Sequence, residues 1–222
     1  MCLIVLAWRA HPKFPLIVAA NRDEFHARKA APAAFWQDQP QILGGRDLQA
    51  MGTWMAVSRA GRFAAVTNYR GAREPTAAES RGALVTGFLT NGVPPAAYMA
   101  DVASRAAKYS GFNLLASDRK ELWWMSNRGG SPQRLEPGYY ALGNLLLDSP
   151  EVQPFKDRMA NASAAVEPLI GILASAKIIN PEYGTRCSTV LLDDASQVRY
   201  SERSFGPDGA EGETKHFQFS VA

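Results

Sequence analysis

Apolar and polar positions do not alternate strictly at the start of this chain. Residues 2–8 read Cys-Leu-Ile-Val-Leu-Ala-Trp and residues 16–20 read Leu-Ile-Val-Ala-Ala, with Pro12 and Pro15 between them. Short unbroken apolar runs bounded by turn residues predict strands buried on both faces, here paired as a hairpin. Residues 26–52 carry Pro32, Pro40, Gly44, Gly45 and Gly52 as punctuation and read as loop. Segments 53–57 and 63–68 flank Arg59-Ala60-Gly61-Arg62, a hairpin signal because glycine supplies positive φ. Helical spacing predicts a helix after Ser80 (Ala83, Leu84, Val85, Phe88, Leu89). A second covers 95–109, with proline in its first turn. Strands follow at 112–116, 122–126 and 139–144. Residues 151–175 read as helix interrupted around Pro168. The last third offers strands at 188–192, 198–202 and 216–221, with a glycine-rich loop at 206–212. No repeat or linker divides the chain, which predicts a single domain over 1–222. Strand-rich ends around a helical middle point to an α+β, four-layer α/β/β/α sandwich of two antiparallel sheets.

Composition narrows the function classes. The 222 residues include 24 Lys+Arg and 21 Asp+Glu, a net charge of +3. No basic block has the density of a nucleic-acid arm, so nucleic acid is not an expected partner. No run of about 20 apolar residues predicts stable membrane insertion. The short N-terminal apolar run lacks a basic flank and is closed by Arg9, His11 and Lys13, a poor match to a signal peptide. Two cysteines, Cys2 and Cys187, fit a reducing compartment, and a cytoplasmic location is expected. His11, His26 and His216 show no metal-ligand spacing, so no metal site is expected and no cofactor is required. Nothing in the sequence fixes an oligomeric state.

The chemistry to be explained is at Cys2. Removal of Met1 would place a thiol and a free α-amine on one residue at the tip of a strand. An α-amine has a pKa near 7.7–8.0 and can take the thiol proton directly or through one water. Asn21-Arg22-Asp23-Glu24 closes the second strand. Asn21 and Asp23 share one face by parity, Arg22 and Glu24 the other. Asp23 could orient the α-ammonium; the alternative is a solvated turn in which Arg22 pairs with Glu24 or Asp23. Asn68 and Asn144 each end a strand and could donate to an oxyanion, worth roughly 3–4 kcal/mol per donor. Arg186 could bind a carboxylate or steady a thiolate.

These segments together resemble the NRDE family, also called the transport and Golgi organisation protein 2 family. The resemblance is carried by Met1-Cys2-Leu3-Ile4, Ala19–Phe25 with its Asn21-Arg22-Asp23-Glu24 motif, Gly45-Arg46-Asp47, Gly52-Thr53-Trp54, Phe63–Arg70 and Tyr183-Gly184-Thr185-Arg186. It extends through Gly111–Leu115 and Leu142–Pro150. The resemblance implies an N-terminal nucleophile fold, and the family's proposed biology is haem trafficking or lipid and acyl-CoA homeostasis. The chain is more distantly similar to bile-salt hydrolases and penicillin V acylases. That similarity implies Cys2 as nucleophile, Asp23 as its partner, Asn68 and Asn144 as oxyanion donors, and Arg186 as a late catalytic arginine. Those enzymes carry an arginine where this chain has Ala20, and Arg22 is expected to be out of parity to replace it. Two functions follow: a cysteine hydrolase of amide or thioester bonds in a small acyl compound, or a non-catalytic carrier of haem or an acyl ligand. Trp8, Trp36, Trp54, Phe63, Trp123 and Trp124 are the aromatic side chains available to such a pocket or to the core.

Overall fold

A computed structural model describes residues 2–71 and 79–221. The described residues form two compact units, each assembled from distant parts of the sequence. One comprises residues 2–29, 137–143 and 147–221; the other comprises the described residues of 30–136 together with 144–146.

The first unit is built on a six-stranded antiparallel sheet. Its strands are β1 (Leu3–Trp8), β2 (Leu16–Phe25), β10 (Gly138–Leu142), β11 (Tyr183–Asp193), β12 (Gln197–Phe205) and β13 (Glu211–Ser220), in the order β10-β1-β2-β11-β12-β13. Helices α3 (Gln153–Asn161) and α4 (Val166–Ala174) pack on the face that carries Leu3, Val5, Ala7, Ile17, Ala19, Val190 and Leu192. The alternate residues Ile4, Leu6, Trp8, Leu16 and Val18 are buried as well. Burial on both faces is why the two N-terminal runs are apolar without alternation.

The second unit is a seven-stranded antiparallel sheet in sequence order. It contains β3 (Ala30–Phe35), β4 (Ile42–Asp47), β5 (Met55–Ser58), β6 (Phe63–Asn68), β7 (Phe112–Ser117), β8 (Leu122–Ser126) and β9 (Gly129–Arg134). Helices α1 (Gly82–Asn91) and α2 (Pro95–Ser104) bury Leu84, Val85, Phe88, Met99 and Val102 against Ala64, Phe112, Leu114 and Met125. Gly92, at φ 70°, ends α1 in the left-handed conformation, and Pro95 opens α2.

The α+β class with two antiparallel sheets is as expected, and the β1–β2 hairpin is in register, Leu3 opposite Asn21 and Trp8 opposite Leu16. Several elements differ from the expectation: the helix expected over 95–109 ends at Ser104 and is followed by a 3-10 turn at Ala106–Lys108, and β13 begins at Glu211, inside the loop expected at 206–212. Residues 26–52 are not all loop, because they contain β3 and β4. β9 was not anticipated. The break in the 151–175 helix falls at 162–165, so that Pro168 lies in the first turn of α4, where its missing N–H costs nothing. Both unexpected edge strands contain a proline, Pro32 in β3 and Pro132 in β9. At a sheet edge a missing donor leaves no ladder bond unmade.

The glycines of β4 mark close approaches. A Cβ on Gly45 would stand 2.3 Å from the Trp54 indole, and one on Gly44 would stand 2.7 Å from the Met55 carbonyl oxygen and 2.8 Å from the Ala56 Cβ. The Thr53 hydroxyl donates to the Gly45 carbonyl at 2.6 Å, and the Asp47 N–H donates to the Gly52 carbonyl at 2.9 Å. Gly45-Arg46-Asp47 and Gly52-Thr53-Trp54 therefore form a structural clasp. Gly44→Ala forces a Cβ against backbone and is expected to cost about 2–3 kcal/mol by overpacking. Thermal unfolding followed by circular dichroism should show Tm lowered by roughly 5–10 °C. A shift within about 1 °C would mean that β4 has more room than these distances allow.

Candidate active site

Cys2 precedes β1, and the register that places Leu3 opposite Asn21 brings it to the end of β2. Its Sγ accepts from the Asp23 N–H at 3.4 Å and its thiol donates to the Asp23 carbonyl at 3.4 Å. The Tyr183 hydroxyl donates to the same carbonyl at 3.2 Å. Burial, and then the Asp23 charge, push the Cys2 thiol up to about 11; the Asp23 N–H bond and Arg22 pull the other way.

Asp23 is 3 % exposed, and its Oδ1 accepts from the Thr185 hydroxyl at 2.6 Å. Thr185 reaches it because β11 pairs with β2, Thr185 opposite Asp23 and Tyr183 opposite Phe25, with an irregularity between Thr185 and Cys187. Gly184 keeps that stretch close: a Cβ there would stand 2.9 Å from the Ile178 carbonyl oxygen and 3.0 Å from His26 Nε2. The Tyr183-Gly184-Thr185 motif thus serves to hold Asp23, a pairing across 162 residues. No local signal near either residue announces it.

Arg22 is buried beside Cys187, its cross-strand neighbour. It lies two residues from Ala20, so it occupies the same face of β2, and the expectation that it is out of parity is corrected. By the same register Cys2 approaches Arg22 from the opposite side, and the Arg22 charge acts on both thiols. Cys2 and Cys187 are thereby two strand spacings apart, about 9–10 Å. That is beyond disulfide reach without backbone movement, and both are free thiols. Burial, followed by the neighbouring Glu202, holds the Cys187 thiol well above its usual range.

The remaining sequence-predicted residues are placed as follows. Asn21 donates from Nδ2 to the Leu173 carbonyl at 3.1 Å and accepts at Oδ1 from the Ser188 hydroxyl at 2.6 Å, tying α4 to the sheet. Glu24 stands 3.8 Å from Arg22 and 3.7 Å from Arg28. Arg186 donates from one guanidinium nitrogen to the carbonyls of Phe25, His26 and Arg28, at 3.1, 3.4 and 3.2 Å, and so holds the turn after β2. In the second unit, Asn68 and Asn144 are brought together. Asn144 Nδ2 donates to the Asn68 carbonyl at 2.7 Å, and the Arg70 N–H donates to the Asn144 carbonyl at 2.6 Å. Among the described residues, no three His, Cys, Asp or Glu side chains are grouped to hold a metal, and no helix is long and apolar enough to cross a membrane.

Cys2 thus immediately precedes an inner strand of an antiparallel α+β fold and is bonded to the neighbouring strand. Solved structures agree on the fold. The Caenorhabditis elegans ortholog of N-acylethanolamine-hydrolyzing acid amidase superposes with a TM-score of 0.53 at 12% identity, covering 86% of this chain and 92% of that one. The C2A mutant of conjugated bile acid hydrolase from Clostridium perfringens gives 0.56 at 8% identity, covering 100% and 98%. The sequence model of the Transport and Golgi organisation 2 family matches residues 1–168. The Transport and Golgi organization protein 2 homologs of Bos taurus and Homo sapiens are 32% and 31% identical over the whole of this chain and 99% of their own lengths. The chain belongs to the Transport and Golgi organisation 2 family.

Proposed function

We propose that this protein is a cysteine hydrolase that cleaves an amide or thioester bond in a small acyl compound, with Cys2 as nucleophile. The observation that carries the reading is the Cys2 thiol within hydrogen-bond distance of the Asp23 backbone, beside a buried Asp23 carboxylate. Two structural neighbours described as an acid amidase and a bile acid hydrolase support it.

With Met1 removed, the α-amine of Cys2 takes the thiol proton. The thiolate attacks the acyl carbon, whose oxygen becomes negative and is stabilised by hydrogen-bond donors. The C–N or C–S bond then breaks, and the leaving group departs with the proton. Water attacks the resulting thioester, releasing a carboxylic acid and restoring Cys2. Arg22 supplies the cation that favours the thiolate, and Asp23 holds the α-ammonium. A cytoplasmic location keeps both cysteines reduced.

The second reading is a non-catalytic carrier of haem or an acyl ligand. What supports it is that burial pushes the Cys2 thiol up to about 11, which leaves little thiolate at neutral pH. Met1, on which the choice turns, lies outside the described residues. Intact mass after expression with a native N-terminus, followed by incubation with an activated acyl ester, separates the two. Loss of one methionine and an acyl adduct that Cys2→Ala abolishes is the expected result. Retained Met1, or an adduct unchanged in Cys2→Ala, overturns the hydrolase and directs the test to haem titration.

A further inference from the structure

The helix-bearing face of the six-stranded sheet is covered unevenly. The main contacts of α3 are with β1 and β10, and those of α4 with β2 and β11. α4 reaches β12 through Glu167, which accepts from Arg203 at 2.6 Å. Where the chain passes from α3 to α4, Ala164, Ala165 and Val166 form one wall of a cavity of about 350 Å³. The floor is the sheet. Leu192 pairs with Arg199, and Arg199 with Gln218; in the next row Ser201 pairs with His216. All of these residues line the cavity.

The lining is asymmetric in chemistry. Alanine, valine and leucine supply an apolar wall, Arg199 and His216 supply N–H groups, and no lining residue is acidic. Asp194 stands 3.9 Å from the Arg199 guanidinium, outside the lining. Its Oδ1 is used by its own turn, accepting from the Ser196 N–H at 3.1 Å, the Ser196 hydroxyl at 2.8 Å and the Gln197 N–H at 2.8 Å. The His216 Nδ1 and the Ser201 hydroxyl are 2.8 Å apart, which fixes the imidazole in place. A guanidinium head beside an apolar wall suits an anion with a short hydrocarbon tail, since its planar fork matches a carboxylate and the tail removes apolar surface from water. The volume falls within the range of small-molecule sites.

We infer that this cavity binds a small amphipathic monocarboxylate, its carboxylate on Arg199 and its tail against Ala165, Val166 and Leu192. The site is separate from Cys2. Leu192 is five residues along β11 from Cys187, roughly 16 Å, and its side chain lies on the other face. The inference holds whether or not Cys2 is catalytic.

The test uses the full chain, with octanoate as probe and octanol as its neutral counterpart. The three histidine rings, His11, His26 and His216, are followed by NMR, with His216→Asn giving the assignment. Octanoate is expected to shift the His216 resonances while leaving His26 unmoved, and to bind at least ten-fold more tightly than octanol. Arg199→Gln should weaken octanoate at least ten-fold without changing octanol. Arg199 is a partly exposed side chain whose guanidinium also lies 5.3 Å from the Phe14 ring centroid, so Tm of the variant is compared with that of the parent. Three results would overturn the proposal: no octanoate-dependent shift at His216, equal binding of octanol, or octanoate binding indifferent to Arg199→Gln.

Discussion

In the chain that keeps Met1, iodoacetamide is expected to alkylate Cys2 with a rate that is half-maximal near pH 11. Alkylation needs the thiolate, and the folded protein opposes it twice. Burial penalises the charge, and the Asp23 carboxylate adds repulsion; the Asp23 N–H bond and Arg22 only partly offset these. A thiol with a pKa of about 11 instead of 9.0 carries about 100-fold less thiolate at neutral pH. Cys187 contributes little because it is buried and its thiol is held well above the usual range. Removing Met1 places an ammonium and its conjugate base on Cys2 itself. The midpoint should then fall by two units or more, and adduct mass against pH reads both forms. The linkage has a definite sign. Folding raises this pKa, so the neutral thiol contributes stability that is complete below about pH 9 and is lost as pH rises through about 11. Cys2→Ala should lose less stability than the parent between pH 9 and 11. A midpoint at or below 9 in the Met1-bearing chain would show that the thiol is not desolvated as the structure has it.

What the sequence made legible depended on how far each residue's partners lie along the chain. The strands β1 and β2 are legible because six and five consecutive apolar residues are buried on both faces and joined by a short turn. The hairpin at Gly61 is legible because its φ of 73° calls for glycine. β3 and β4 were missed because Ala-Ala-Pro-Ala-Ala and Gly-Gly carry almost no strand propensity. What places Gly45 in a strand is the Trp54 ring lying against it. At the site, Cys2, Asp23 and the Asn21–Glu24 parity were readable from local order. The partners that fix them were not. Thr185 on Asp23 and Ser188 on Asn21 depend on the β2–β11 register, set by strands more than 150 residues apart. The same pairing places Arg22 between the two cysteine-bearing strands, which counting along one strand could not show.

Asp23→Asn is expected to move two measurements in opposite directions. The amide keeps the carboxylate's shape and can still accept from the Thr185 hydroxyl, which stands 2.6 Å from Oδ1, so the fold should survive. Losing the negative charge removes the second-largest cause of the raised Cys2 pKa. In the Met1-bearing chain, alkylation at neutral pH should therefore speed up. Under the proposed hydrolase mechanism the same charge would orient the α-ammonium of the processed chain, and hydrolysis should fall by roughly 10²–10³-fold, the usual scale for such groups. Arg22→Met gives the contrasting case. Arg22 lowers the Cys2 pKa, so its loss should slow alkylation and hydrolysis together. A merely structural Asp23 would depress both rates in step with a lower Tm, and a carrier would show no hydrolysis to lose. Opposite signs for Asp23→Asn and equal signs for Arg22→Met, at unchanged Tm, are expected only where the buried carboxylate acts on the amine and the buried guanidinium acts on the thiolate.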